Sequence, residues 1–318
     1  MFSGGRSHSS ANDGILITRR HRNLLLVASL LTYLLVTLGG VVCITDSSRG
    51  CPDWPACYGQ LLPPMRIDSI FEYTHRVMAA LTSLLIVASA VVGWLKSRSV
   101  RWVARPPLIA VFFLLVVSAF GAMVVLRGLE PGLAALDLGS ALAVLALMTT
   151  ATVVAFSRHR NPALPDRLSF DSSFARLAVW TVVAVFVVLV SGVLVAAPGS
   201  PMRCLGWPLY PGDWPVAEGR QWLQLARRLL AVATGILIIA VVVRAWRRPV
   251  AIRATAIVVG AWFVTEMLVG LLMALYGSPV FLQITHAAVA AALWASLVVL
   301  VVLAGLASSV QTEESRAS

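Results

Sequence analysis

"GGVVCITDSSRGCPDWPACYG", residues 39–59, decides how the chain is read. It closes one long apolar run, precedes another, and sets Cys51 and Cys57 around a Pro-Asp-Trp-Pro core. A worn copy, "SGVLVAAPGSPMRCLGWPLYPG", returns at residues 191–212 behind a second apolar run. With one residue inserted in the second copy, Gly40 falls on Gly192, Cys51 on Cys204, Trp54 on Trp207 and Pro55 on Pro208, while Tyr210 stands opposite Cys57. The segments downstream align as well. "EYTHRVMAALTSLL" (72–85) lies over "QLARRLLAVATGIL" (224–237), which sets Glu72 against Gln224, His75 against Arg227 and Arg76 against Arg228. "LAALDLGSALAVL" (133–145) lies over "LQITHAAVAAALW" (282–294), which sets Asp137 against His286. Self-similarity at a nearly constant spacing marks a duplicated unit.

The material between these landmarks is apolar. Of 318 residues 59% are hydrophobic and 12% charged, more apolar surface than a soluble domain can hide. A span needs about 20 mostly apolar residues. Eight stretches meet that, near 23–43, 72–95, 107–126, 133–156, 173–196, 222–243, 254–275 and 281–306. Open strand edges cannot be satisfied in lipid, so the expected fold is an all-α integral membrane protein. Its eight transmembrane helices form two tandem four-helix bundles related by internal duplication. The units are a polar leader (1–22), a first half (23–156), a linker (157–172), a second half (173–306) and a tail (307–318). Four spans per half is an even number, so the copies share one orientation. Residues 1–18 and 309–318 are polar and Ser-rich and are expected to be disordered.

The net charge of +11 raises the question of nucleic acid, and its distribution answers it. Arg6, Arg19, Arg20 and Arg22 precede the first span; Lys96, Arg98, Arg101 and Arg105 join the second to the third. Arg158, Arg160 and Arg167 follow the fourth, and Arg244, Arg247, Arg248 and Arg253 the sixth. All fall on one side of an eight-span chain, the cytoplasmic side by the positive-inside rule. The expectation is a multi-pass plasma-membrane protein in contact with lipid and not nucleic acid, with both termini cytoplasmic. No cleavable signal is evident at the N-terminus. The opposite loops carry Cys51, Cys57 and Cys204, with Cys43 at the same face, so that face meets an oxidising compartment.

Ionisable residues inside spans are costly and mark functional sites. They are Glu72, His75, Arg76, Asp137, Arg227, Arg228, Glu266 and His286. Glu72 and His75 stand three apart and share a helix face. The repeat predicts that His75 faces Asp137 in one bundle and that Arg227 faces His286 in the other. A histidine projecting into a four-helix bundle suits axial ligation of heme, and it equally suits a polar contact within the bundle. Glu266 is either a buried functional acid or the partner of an arginine on a neighbouring span. His8, His21 and His159 lie in polar segments and are expected to be solvated.

The cysteine-pair loop "CPDWPAC" followed by "EYTHR", within eight spans in two halves, resembles the heme A synthase family (CtaA type). The resemblance covers almost the whole apolar chain. It implies an oxidoreductase that receives heme O in the first half and oxidises a ring methyl to formyl, giving heme A for cytochrome oxidase. It implies a heme b in the second half. Partners would be heme O and heme A, heme O synthase and cytochrome oxidase assembly proteins. By matching position, Glu72 resembles the catalytic carboxylate, His75 a ligand of the substrate heme iron and His286 a ligand of the second heme iron. Cys51 and Cys57 resemble a redox-active or structural pair, and Arg76, Asp137, Arg227 and Arg228 fall at the cofactor.

The departures are specific. The second histidine of the first half is Asp137 here, the first histidine of the second half is Arg227, and Cys43 stands where the family often has arginine. A carboxylate is a poor partner for ferrous heme, and a guanidinium has no lone pair to give. Each pocket should then be five-coordinate or take another ligand. Arg227 and Arg228 either pair with heme propionates or snorkel to the outer interface. The rival readings are a non-catalytic heme-binding or assembly protein of the family, a metal site built from Glu72, His75 and Asp137, and a transporter.

Overall fold

The computed structural model describes residues 17–53, 56–60, 62–127, 131–195 and 221–317. Within them the chain forms α1 (Arg19–Ile44), α2 (Ile67–Lys96), α3 (Arg101–Arg127), α4 (Pro131–Arg160), α5 (Ser173–Val195), α6 (Gln221–Ala245), α7 (Val250–Tyr276) and α8 (Val280–Ala317). Each contains a stretch long and apolar enough to cross a membrane. The protein is an all-α integral membrane protein with eight helices among the described residues.

Several helices overrun the apolar stretches and run on to caps. Thr18 caps α1 through its hydroxyl, which accepts from the His21 amide at 3.3 Å. The α3 helix begins at Arg101, ahead of Pro106 and Pro107, because Asp166 accepts from the Arg101 and Trp102 amides at 2.6 and 3.4 Å. Thus the 157–172 linker is folded back to cap a helix. Gly277, at φ 73°, ends α7 in the left-handed conformation that suits glycine at a helix C-terminus. The tail expected to be disordered continues α8 to Ala317. Of the leader, Ile17 is buried and packs in the core, and residues 1–16 lie outside the described residues.

The neighbours close into two rings. α1 packs on α2, α2 on α3, α3 on α4, and α4 back on α1; α5, α6, α7 and α8 repeat that order. The rings join through α1 and α4 on one side and α5 and α8 on the other. Accordingly α4 and α8 bury more than half of their spanning stretches, and every other helix a third or less. Leu84, Leu95, Phe112, Leu115, Leu229 and Val243 are exposed and form part of the lipid-facing surface.

Apolar side chains gain little by leaving lipid for one another, so small residues and interhelical hydrogen bonds hold such a seam. Trp294 Nε1 on α8 donates to the Leu142 carbonyl of α4 at 3.0 Å, and the Tyr33 hydroxyl on α1 donates to the Ala288 carbonyl of α8 at 3.2 Å. Inside the first ring the hydroxyls of Ser29 and Thr152 lie 2.7 Å apart. A Cβ on Gly40 would come within 3.2 Å of Ala287 Cβ, so glycine lets α1 approach α8 closely.

At the end of the molecule opposite the cysteine loop, two histidines are not solvated as expected. His21 is buried with Nδ1 3.1 Å from the Ser97 hydroxyl, and His159 Nδ1 lies 2.9 Å from the Ile17 carbonyl. Both turn inward because a neighbouring segment offers a polar atom there. His8 lies outside the described residues.

Candidate functional site

The loop between α1 and α2 is seated before it is cross-linked. Gly50 presses on the start of α2, and a Cβ there would overlap the Asp68 carbonyl and come within 2.8 Å of the Ser69 amide nitrogen. The Ser69 hydroxyl donates to the Gly50 carbonyl at 2.7 Å. The next residue, Cys51, is disulfide-bonded to Cys57, and both are buried. Cys43 is also disulfide-bonded.

Asp53 shapes the loop's outer turn. Its carboxylate accepts from the Tyr58 amide at 2.6 Å and the Gly59 amide at 2.7 Å. Tyr58 and Gly59 have φ of 56° and 64°, and successive left-handed residues turn their amides toward one anion. The Gly59 amide above all, then the Tyr58 amide and the charge of Arg76, hold the Asp53 carboxyl below the usual carboxylate range, against a smaller opposing desolvation.

Beneath the loop lies the Glu-x-x-His-Arg segment of α2. Glu72 and Arg76 are one turn apart, and Arg76 Nε donates to Glu72 Oε1 at 2.8 Å, with about a tenth or less of either side chain exposed. The other end of the guanidinium reaches into the loop. Nη1 donates to the Asp53 and Ala56 carbonyls at 2.6 Å each, and Nη2 approaches the Cys51 carbonyl at 3.4 Å. Arg76, expected at the cofactor, therefore spends its donors on Glu72 and on three backbone carbonyls.

His75 points elsewhere. Its Nδ1 is buried without a hydrogen-bond partner among the described residues, and its Cε1 would lie 3.3 Å from a Cβ on Gly39 of α1. Asp137 Oδ1 on α4 is likewise buried with no hydrogen-bond partner. No hydrogen bond joins His75 to Asp137. Buried polar atoms left unpaired are costly, and they are what a site for a further group presents. Among the described residues no three of His, Cys, Asp and Glu cluster closely enough to hold a metal ion, so Glu72, His75 and Asp137 do not form a bare metal centre.

In the second ring His286 is buried on α8, and its Nδ1 lies 2.9 Å from Glu266 Oε1 on α7, though the ring N–H does not align on that oxygen. The partner of Glu266 is thus a histidine and not the expected arginine. Two helices of similar hydropathy give no sign of their relative rotation, which is why the sequence misses this pair. The Nε and Nη2 atoms of Arg227 are buried, so Arg227 does not snorkel, and Arg228 is half-buried. The Gln224 side chain lies outside the described residues, as do Trp54, Pro55, Cys204, Trp207, Pro208 and Tyr210.

Imidazole is the donor a porphyrin iron takes from a helical bundle. His75 offers it unpaired beside a glycine that keeps the ring's flank clear. His286 offers it with a carboxylate near Nδ1, an arrangement that orients a ligating histidine. On these observations the residues present fit a heme in either ring.

Comparison with known proteins bears on most of the chain. A profile of the COX15-CtaA family, described as cytochrome oxidase assembly protein, matches residues 22–298. A heme A synthase of Halalkalibacterium halodurans is 26% identical, the match covering 89% of this chain and 97% of that protein. Heme A synthases of Lysinibacillus sphaericus and an Exiguobacterium strain are 30% and 29% identical over 64% and 62% of this chain, and over 68% and 64% of their own lengths. The profile runs from the first helix of one ring into the last helix of the other, and the chain belongs to the COX15-CtaA family of cytochrome oxidase assembly proteins.

Proposed function

We propose that this protein acts in heme A biosynthesis for cytochrome oxidase, as a membrane oxidoreductase that converts heme O to heme A. The observation that carries the reading is His75. Its Nδ1 is buried with no hydrogen-bond partner among the described residues, one helical turn from a carboxylate already held in place. The near-full-length likeness to a heme A synthase supports it.

In this reading His75 holds the iron of heme O, the substrate. Conversion of a methyl to a formyl takes up one water and releases four protons and four electrons, the electrons leaving for an acceptor outside this chain. Glu72 shares the helix face of His75 and serves as proton acceptor or aligns the water. A heme b on His286 would supply one-electron storage. Cys51 and Cys57 brace the mouth of the pocket. Arg227, buried in the second ring, pairs with a propionate, and Arg228 assists it. The basic segments face the cytoplasm of a plasma-membrane protein and the disulfide loop faces outward, as charge asymmetry and cysteine pairing suggest. The two rings, within 23–156 and 173–306, descend from one duplicated unit, and heme O synthase is the natural partner upstream.

Expression of the full chain with a heme O synthase, followed by pyridine hemochrome analysis, tests this. Heme A should form with the wild type and not with His75→Ala or Glu72→Ala. Heme O accumulating unchanged, with a Soret band that depends on His75, would favour a non-catalytic heme-binding member. The residues Asp137 and Arg227 at expected ligand positions keep that second reading in view. Colourless protein that His75→Ala leaves unaltered would overturn both.

A further inference from the structure

We propose that Arg76 is a positioning residue that makes the geometry of Glu72 depend on the redox state of the Cys51–Cys57 loop. The proposal deepens the reading of Glu72 as the working carboxylate, but its physical content concerns only this chain.

The argument starts from the acceptors. A guanidinium has five N–H donors in a rigid plane. Here one edge is fixed on Glu72 Oε1 at 2.8 Å, while Nη1 is shared by the carbonyls of Asp53 and Ala56 at 2.6 Å each. Nη2 faces the Cys51 carbonyl at 3.4 Å. Those carbonyls belong to residues 51, 53 and 56, inside the ring of backbone that the 51–57 disulfide closes. No helix or sheet ladder holds them in register. Gly50 and Ser69 anchor the loop just before Cys51; beyond it, among the described residues, the cross-link, the Asp53 turn and the Gln60 amide bond to the Cys57 carbonyl confine the chain. The disulfide therefore holds the acceptors, the acceptors hold Arg76, and Arg76 holds one oxygen of Glu72.

Opening the cross-link is a two-electron step. A dithiol reductant gives two electrons and two protons to the S–S bond; two thiols form at Cys51 and Cys57, and the reductant becomes a disulfide. The 51–57 segment then recovers backbone freedom, its carbonyls leave their common focus, and Arg76 loses the acceptors that oppose its own motion. Glu72 keeps an arginine that is no longer fixed in place. The oxidised loop is the state in which the carboxylate has a single orientation, and the reduced loop is the state in which it has several.

Difference infrared spectroscopy on the full-length, heme-free protein in detergent tests this, with the Glu72 carboxylate band assigned by its loss in Glu72→Gln. In the wild type, reduction by a dithiol should shift or broaden that band. In Arg76→Gln the band should already be altered, and reduction should add nothing. Arg76→Gln should also speed reduction of the disulfide by about tenfold or more, the scale of one lost charge-assisted hydrogen bond. A Glu72 band unmoved in wild-type protein, after alkylation and peptide mapping have shown Cys51 and Cys57 as thiols with the Cys43 disulfide intact, would overturn the proposal without any variant having to fold. So would an equal response in Arg76→Gln. Because no heme is present, these outcomes are separate from failure of the synthase reading, whose sign is absent heme A or a missing Soret band.

Discussion

Glu266 Oε1 and His286 Nδ1 lie 2.9 Å apart across the α7–α8 seam, both side chains nearly devoid of exposed surface. A carboxylate this deep in a span is expensive to desolvate, and an imidazole beside it repays part of that cost. Removing one partner leaves the other stranded. Glu266→Ala is expected to destabilise the protein by about 3 kcal/mol, the scale found when one member of a buried pair is deleted. Glu266→Gln keeps the volume and should cost less. Thermal unfolding in detergent checks both. If a heme sits on His286, the carboxylate near Nδ1 makes the imidazole more electron-rich and favours ferric iron. Glu266→Gln should then raise the midpoint potential by tens of millivolts, about 59 mV being a tenfold change for one electron. A potential that does not move would place the pair in structure alone.

Two adjacent glycines of α1 separate contact with His75 from contact with the second ring. A Cβ on Gly39 would stand 3.3 Å from His75 Cε1, whereas one on Gly40 would stand 3.2 Å from Ala287 Cβ in the other ring. Gly39→Ala should tilt the imidazole and shift the Soret band of heme bound on His75. Gly40→Ala should leave that spectrum alone and lower the unfolding temperature, because α1 and α8 must separate. Absorption spectra and melting curves of the two variants should therefore move in opposite columns. Equal spectral shifts would show that the Gly39 contact does not act on the heme through His75.

Asp137 makes a different kind of prediction. Its Oδ1 is buried and lacks a hydrogen-bond partner among the described residues, at the position where the resemblance leads one to look for a second histidine. A carboxylate is a poor axial partner for ferrous heme. Heme bound on His75 should therefore be high-spin when reduced and should take up carbon monoxide readily. Asp137→His should yield a low-spin spectrum and weaker carbon monoxide binding, by about tenfold or more for one added strong ligand. Low-spin ferrous heme in the wild type would point to a ligand other than Asp137.

The spans, their order and the cysteine-pair loop were legible in the sequence because hydropathy and the Cys-Pro-Asp-Trp-Pro-Ala-Cys run are local properties. The contacts that give the site its form were not. Arg76 bonds to backbone carbonyls, which carry no residue signature. Glu266 meets His286 because of helix rotation, which a nearly uniform apolar surface does not encode. Asp166 was read as part of a linker, although it caps α3 from 65 residues away. The proximity of Gly39 to His75 had one local hint, a Gly-Gly pair at the end of a span, but the pair alone does not say which glycine faces the ring.

Acid should loosen the loop by a route that the Asp53 turn defines. The Asp53 carboxyl is held below its ordinary range by the Gly59 amide first, then by the Tyr58 amide and the charge of Arg76. A depressed carboxyl contributes order above the pKa it has in the unfolded chain, and the contribution is lost as pH falls through the lowered value. At neutral pH the turn is therefore fully formed. Acidification below the ordinary carboxylate range should protonate Asp53 and free the Tyr58 and Gly59 amides, exposing Cys57. A phosphine reductant, which remains active in acid, should open the Cys51–Cys57 bond faster as pH drops through that window. In Asp53→Asn the side chain carries no charge at any pH, so reduction should be faster at neutrality and lose this acid-dependent rise. A wild-type rate that stays flat down to the acid limit of the fold would show that the two amides do not govern access to the disulfide.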